Sequence, residues 1–346
     1  MLDVVVVGAG AMGSAAAWQL ARRGRSVAVV EQFEPGHHRG SSHGATRIFR
    51  LAYRDPTYVR LAVEALDAWH DLEAASGTTL LEQTGQLDHG SEAAIDEIAA
   101  NLEAAGFAGE RMTPAQAEAR WPGMRFDRAV VHSPDGGRVF AERTVAELQR
   151  LAVELGAEVT FDEPVTRIEQ TSDGVVVHTG RRALAARTVV VAAGAWVADL
   201  VPAGIELPTF AVSHELPTHF RPRDPGQRWP SFVHYVDGDA GARSFGAYGL
   251  ETPGEGVKVG VEDAASVDEV VDYVRRWHPG LVPEPVSSAE CLFTNTPDEH
   301  FVVERHGPVV VCSPCSGHGF KFTPVIGALV ADLCDGRPPR YRFGDA

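Results

Sequence analysis

Apolar positions follow three different rhythms along this chain. Val4–Val7 is an unbroken apolar run, the pattern of a strand buried on both faces. GAGAMG follows as a tight turn, SAAAWQLARRG as a helix ending at Gly24, and SVAVVE as a second strand. Together they predict a βαβ unit. Residues 58–75 put Leu61, Ala65, Ala68 and Leu72 on one helical face, and 92–105 also read as helix. WPGM is a turn. Residues 143–156 read as a helix stopped by Gly156, AEVTF as a short strand and VTRIEQTSDGVVVHTG as a hairpin. TVVVAAGAWVADL, at 188–200, repeats the buried-strand rhythm and runs into a helix start. Residues 210–295 are strand-rich, with Pro and Gly turns and one helix near 267–277. PVVVCS, the loop PCSGHGFKF and a helix over 323–334 close the chain, and no internal repeat is visible.

The βαβ pieces fall near the start, around 143–212, and near the end. The intervening segments read as a separate antiparallel sheet. The expected class is therefore α/β, with a discontinuous doubly wound domain over 1–80, 143–212 and 296–346. A second domain is expected over 81–142 and 213–295, built on the antiparallel sheet. Within it, VKVGVE alternates Val257, Val259 and Val261 with Lys258, Gly260 and Glu262. On that alternation alone Lys258 faces solvent.

Charge narrows the partners. With 47 acidic against 31 basic residues in 346, the formal charge is −16. Nucleic acid and anionic membrane surfaces are bound mainly through basic patches, so neither is an expected partner. Gly8, Gly10 and Gly13 interrupt the apolar run from Val4 to Leu20, which excludes a membrane span there, and no charged segment precedes it as a signal would need. Cys291, Cys312, Cys315 and Cys334 all lie in the last sixth of the chain, unlike a secreted disulfide framework. A cytoplasmic protein is expected.

The turn between the first strand and helix is G-x-G-x-x-G at Gly8, Gly10 and Gly13, with Ala11 and Met12 between the last two glycines. Gly8 makes the turn, Gly10 admits a pyrophosphate and Gly13 lets helix and strand pack closely. The helix N-terminus offers free N–H groups to phosphate, and Glu31, at the end of the second strand, can accept from ribose hydroxyls. A dinucleotide is the expected ligand. Nicotinamide dehydrogenases usually keep this domain contiguous, and the interruption points to FAD.

Against the acidic background, HGATRIFR at 43–50 gathers a histidine and two arginines beside Tyr53. With TVVVAAGAWV, CLFTNTPDEHFVV and SGHGFKF following GAGAMG in order, the chain resembles the monomeric sarcosine oxidase and N-methyltryptophan oxidase family from Val4 to Leu333. That family belongs to the D-amino-acid-oxidase-like flavoproteins. The resemblance implies a glutathione-reductase-type FAD domain and oxidation of secondary or N-methyl amino acids. Oxygen would be reduced to hydrogen peroxide, the FAD held covalently, and the protein monomeric.

The resemblance also implies roles. His43 and Arg47 would lie beside the flavin, with Ser42, Thr46, Val165, Gly194, Trp196, Gly317, His318, Gly319 and Phe320 also holding the cofactor. Arg50 and Lys321 would bind a substrate carboxylate, as a bidentate guanidinium and a point charge can. Tyr53, Glu262 and Phe293 would line the substrate site. Lys258, against the alternation, would promote oxygen reduction, since a fixed ammonium stabilises developing negative charge. The glycine two residues on, Gly260, would leave space for a flat ring. Cys291 would carry the flavin, with Cys315 as a rival, although its spacing reads only as a buried packing cysteine.

Departures shape the expectation as well. Cys312-Ser-Pro-Cys315 replaces a small apolar loop; two unpaired cysteines are expected there, and no metal site. Glu262 and Phe293 stand where the family often has histidine and tyrosine. A Glu262 in the pocket would favour a cationic or basic substrate. A dehydrogenase passing electrons to a carrier, an oxidase of cyclic imino acids or primary amines, and a flavin-bearing binding protein remain as alternatives.

Overall fold

The computed structural model describes residues 1–236 and 245–344, so the parts of the two expected domains at 237–244 and 345–346 lie outside the described residues. The valine run becomes the strand Leu2–Val7, flanked in parallel by Val27–Val30 and Ala183–Val191. Val309–Ser313 continues the sheet beyond 183–191, and Glu158–Thr160 continues it beyond 27–30, both in parallel. Strands this apolar need cover on both faces. On one face Val4, Val6, Val27 and Val29 pack with Leu20 of the helix Ala11–Arg22, Leu148 of Ala141–Glu154 and Ile326 of Thr323–Cys334. On the other, Val5, Val7, Val189 and Val311 cluster with Ile168, Val175 and Val177 of the hairpin Val165–Thr171 and Gly174–Thr179.

A second sheet of eight strands runs in the order Leu281–Ser288, Thr218–Pro222, Gly256–Val261, Phe245–Thr252, Ser231–Tyr235, Gln86–Gly90, Val130–Ser133 and Glu110–Met112. It is antiparallel except where Ser231–Tyr235 runs parallel to Gln86–Gly90. One face packs Phe220, Phe232, Val257 and Val259 against Val270, Val271 and Val274 of the helix Val267–Trp277. The opposite face carries His219, Tyr248, Leu250 and Lys258, which face a cavity.

Local differences from the expectation have identifiable causes. The first helix starts at Ala11, inside the glycine turn, because Gly10 serves as its N-cap. TRIF forms a four-residue strand, Thr46–Phe49, paired with Gly137–Phe140, too short to show a periodicity. A helix over Pro114–Arg120 was not expected, although Thr113 and Gln116 form a complete capping box before it. Among the described residues no helix is long and apolar enough to cross a membrane.

Candidate active site

The two sheets and the loops between them enclose a cavity of about 860 Å³. That volume lies in the upper range for small-molecule and cofactor sites. At one end is the glycine turn. Gly8 sits at φ +101°, and a Cβ there would meet the Ala192 carbonyl oxygen at 2.5 Å. A Cβ on Gly13 would come within 1.8 Å of the Gly8 oxygen, so only glycine lets the helix start so close to the strand. The first helical turn has no acidic residue and no side-chain cap from Gly10. Its positive end is therefore available to an anion, with Ala11 N–H donating to Ser42 Oγ at 3.0 Å. Glu31, buried, accepts from the N–H groups of Ala9 at 2.8 Å and Phe33 at 3.1 Å. A carboxylate has further lone pairs with which to take a hydroxyl. These residues fit a dinucleotide.

Ala11, Met12, Glu31, Ser42, Val165, Gly194 and Trp196 line this end, while Gly13 supports it from behind. Gln149, which the sequence did not single out, also lines it and donates to the Ala9 carbonyl at 2.8 Å.

Two cations converge in the middle of the cavity on one carbonyl. Lys258 Nζ donates to Thr46 O at 2.6 Å, and Arg47 Nη1 donates to the same oxygen at 2.8 Å. Arg47 Nη2 donates to the carbonyls of His43 at 2.6 Å and Ser41 at 2.9 Å. Thr46 itself does not line the cavity; its hydroxyl is tied to Thr252 at 2.7 Å, which fixes the shared carbonyl. Lys258 is buried and faces the cavity, not solvent. Alternation identified the correct two faces of its strand, but both are covered. Burial, aided by Arg47, lowers the Lys258 ammonium to about 7. Burial and Arg47 also lower His43 to about 4, so its imidazole is neutral at pH 7. His43 Nε2 lies 3.8 Å from Cys291 Sγ. Cys291 and Phe293 sit on the strand Cys291–Asn295 and line the same wall.

The far end belongs to Arg50 and Lys321, with Gly317, His318, Gly319 and Phe320 around them. Both cations are buried. Arg50 Nη1 donates to Ala52 O at 2.7 Å and Tyr235 Oη at 2.5 Å, and lies 3.5 Å from Asp88 Oδ1. The arginine is thus already in an ion pair. Lys321 Nζ donates to His318 O at 2.6 Å, and burial next to Arg50 pushes its ammonium well below the usual lysine range. Tyr53 does not reach the cavity wall. It lies beneath the Arg50 guanidinium, 4.2 Å from ring centroid to Cζ, and its hydroxyl is 3.3 Å from His318 Nδ1.

Two further residues stand differently from the expectation. Glu262 is not on the cavity wall, because its strand ends at Val261. Gly260 does leave room for a flat ring, but Tyr248 fills it: a Cβ on Gly260 would meet Tyr248 Cζ at 2.4 Å. Tyr248 lines the cavity in place of Glu262. Asp88, Tyr235, Tyr248 and His219 carried no motif and were missed; only their places on adjacent strands bring them here. All four cysteines are free, with Cys291 and Cys312 buried and Cys315 half-buried on the cavity wall. Cys315 Sγ accepts from Thr294 N–H at 3.2 Å.

Comparison with known proteins agrees with this geometry. A monomeric sarcosine oxidase of Streptomyces avermitilis is 34% identical over 96% of this chain and 93% of its own length. An N-methyl-L-tryptophan oxidase of Citrobacter koseri is 27% identical over 98% and 96%. The solved structure of NikD, an unusual amino acid oxidase essential for nikkomycin biosynthesis, superposes with a TM-score of 0.86 at 29% identity, covering 99% of this chain and 95% of that one. The family model described as FAD dependent oxidoreductase matches residues 3–333, a span that holds every cavity residue described above. Over nearly its whole length the chain is thus a member of the FAD dependent oxidoreductase family, in its sarcosine oxidase and N-methyltryptophan oxidase branch.

Proposed function

We propose that this enzyme oxidises secondary or N-methyl amino acids at a C–N bond, giving an imine that water hydrolyses, with oxygen reduced to hydrogen peroxide. The observation that carries the reading is the pair of buried cations, Arg50 and Lys321, at the end of a cavity whose other end fits a dinucleotide. Arg50 is already paired with Asp88, so what suits a carboxylate here is a guanidinium fork and an amine side by side as hydrogen-bond donors, not uncompensated charge.

Bound FAD would accept the electron pair and pass it to oxygen. The chain's own residues would do the rest. Arg50 and Lys321 would hold the carboxylate and so place the amine, converting a bimolecular encounter into a fixed approach. Phe293 and Tyr248 would exclude water from the apolar side. Lys258, anchored on Thr46, would hold a positive charge where negative charge develops on oxygen. Cys291 would tether the cofactor covalently. We assign cofactor binding to 1–80, 143–212 and 296–346, and substrate binding to 81–142 and 213–295. The enzyme would act as a cytoplasmic monomer.

The test is anaerobic. Purified yellow protein is mixed with sarcosine, N-methyl derivatives of larger amino acids, L-proline and L-pipecolate while its visible absorbance is followed, and air is then admitted. Bleaching by one N-methyl or cyclic amino acid, reversed by air with peroxide released, is the expected result. Bleaching that air does not reverse would favour a carrier-dependent dehydrogenase, and no bleaching at all would sink the amino acid reading.

A further inference from the structure

The carboxylate end of the cavity holds a buried charge pair that no family motif marks. Asp88 lies on Gln86–Gly90 and is fully buried. Its Oδ1 accepts from Tyr235 Oη at 3.2 Å and faces Arg50 Nη1 at 3.5 Å, while Oδ2 has no hydrogen-bond partner among the described residues. The groups that face this pair are Tyr53 beneath Arg50, Tyr235 from the neighbouring strand, and Lys321 with His318 from the last loop. Tyrosines are neutral here, their hydroxyls pushed up by burial.

Charge bookkeeping then constrains ligand binding. Arg50 and Asp88 cancel, and Lys321, buried beside Arg50 and donating to the neutral His318 carbonyl, is held towards its neutral form. An incoming carboxylate adds a full negative charge to a buried group whose net charge is already near zero. Burying an uncompensated charge is costly, and a group in that position changes its protonation instead. We propose that carboxylate binding at Arg50 is coupled to capture of one proton by one of its two neighbours, Asp88 or Lys321, with Asp88 the positioning residue that holds Arg50 and sets this requirement.

The coupling gives a substrate amine somewhere to leave its proton. An amino acid arrives as a zwitterion, and its nitrogen must be neutral to be oxidised. The ammonium proton lost on binding matches the proton that this end of the site must gain, so the transfer is internally balanced: carboxylate in, one N–H bond broken, one O–H or N–H bond formed within the protein. Burial lifts Asp88 to about 6, within reach near neutral pH, and pushes Lys321 below the usual lysine range.

The inference rests on the carboxylate reading above, and the experiment separates the two. Methoxyacetate has the shape of sarcosine with oxygen in place of nitrogen, so it brings a carboxylate and no ammonium. Its binding to the holoenzyme is followed by titration calorimetry in buffers of different ionisation enthalpy, which counts protons directly. The expected uptake is close to one proton per ligand between pH 7 and 8.5, with Kd rising about tenfold per pH unit. In Asp88→Asn the Arg50 charge is left for the ligand to neutralise; the uptake falls towards zero and Kd becomes nearly independent of pH. Tyr235→Phe removes a hydroxyl but no charge and should retain the uptake, which a purely structural role of the cluster would not distinguish. Wild-type binding without proton uptake, or unchanged uptake in Asp88→Asn, overturns the inference alone. Failure of methoxyacetate to bind overturns the carboxylate reading with it. The wild-type count decides the matter even if Asp88→Asn does not fold.

Discussion

His219 and Lys258 are cross-strand partners, in register on adjacent antiparallel strands, and both line the cavity. His219 Nδ1 lies 3.3 Å from Ser287 Oγ, and its Nε2 is 3.3 Å from Glu255. Burial beside Lys258 lowers His219 to about 4, so at pH 7 the lysine has a neutral neighbour and competes with no second cation on that side.

Replacing Lys258 with Met should slow reoxidation of the reduced enzyme by oxygen at least ~100-fold, the scale for removing one preorganised charge. Anaerobic reduction by substrate should change by less than about tenfold, because the carboxylate is proposed to bind Arg50 and Lys321 rather than Lys258. Stopped-flow spectroscopy of the two half-reactions measures both. In the wild type, reoxidation should slow as pH rises through the range where Lys258 loses its proton, about 7 in the free protein. Equal losses in both half-reactions would reject the assignment.

Arg50→Ala should raise the apparent substrate Kd at least ~tenfold, as expected for loss of a charge-assisted pair. Asp88 is then left buried without its cation, so a fall in Tm should accompany the change. Arg50→Lys should restore part of the stability but little of the affinity, since a lysine cannot reproduce a bidentate fork. An unchanged Kd in the alanine variant would move the carboxylate elsewhere.

The proposed covalent attachment of the cofactor distinguishes two cysteines. Cys291 Sγ stands beside the neutral His43 imidazole, whereas Cys315 Sγ already accepts the Thr294 N–H. The intact mass of acid-denatured wild-type protein should include the flavin. Cys291→Ala should lose it, and Cys315→Ala should keep it. The opposite pattern would assign the link to Cys315.

Acid stability follows from a separate cluster in the large sheet. His89, His234 and His278 are buried together among Phe126, Phe232, Tyr273 and Trp277. Among the described residues, both ring nitrogens of His89 and of His278 lack hydrogen-bond partners. Burial lowers His234 to about 4 and His278 to about 3. The unfolded chain takes up these protons near the ordinary histidine value of 6.5, the folded chain only at lower pH. Stability should therefore fall as pH drops below about 6.5, and most of the loss from His234 should be complete near 4. Asp88, raised to about 6, acts in the opposite sense, but it is one group against several. A Tm series from pH 7 to 4 tests this, and His278→Phe should flatten its acid limb. A Tm that holds level down to pH 4 would show that the histidines do not govern acid stability.

The parts of the molecule that were legible in the sequence are those whose signal is local. The valine runs, the glycine turn and the helices at 267–277 and 323–334 carry their own periodicity, and the last two match the structure to the residue. Lys258 shows where local reading stops. Alternation reports that Val257 and Val259 share one face, and they do; it says nothing of what covers the other face. Arg50, Asp88 and Tyr235 lie on segments far apart in the chain and meet only because Gln86–Gly90 and Ser231–Tyr235 are neighbours in the sheet. No motif encodes such a meeting. The resemblance supplied Arg50 because its neighbours form a pattern, and missed Asp88 because a lone aspartate in QLDHG does not.

The cavity wall begins at Val7 and is completed by Lys321, and the strand Val309–Ser313 is the last to enter the parallel sheet. A ribosome releases these pieces in order, so the nascent chain holds the glycine turn long before it has the loop that closes the opposite end. Long-range closure of this kind is slow relative to local helix formation. The cavity that fits the cofactor is accordingly complete only once the last loop has been made, and a ligand that bridges its early and late pieces would stabilise the finished fold.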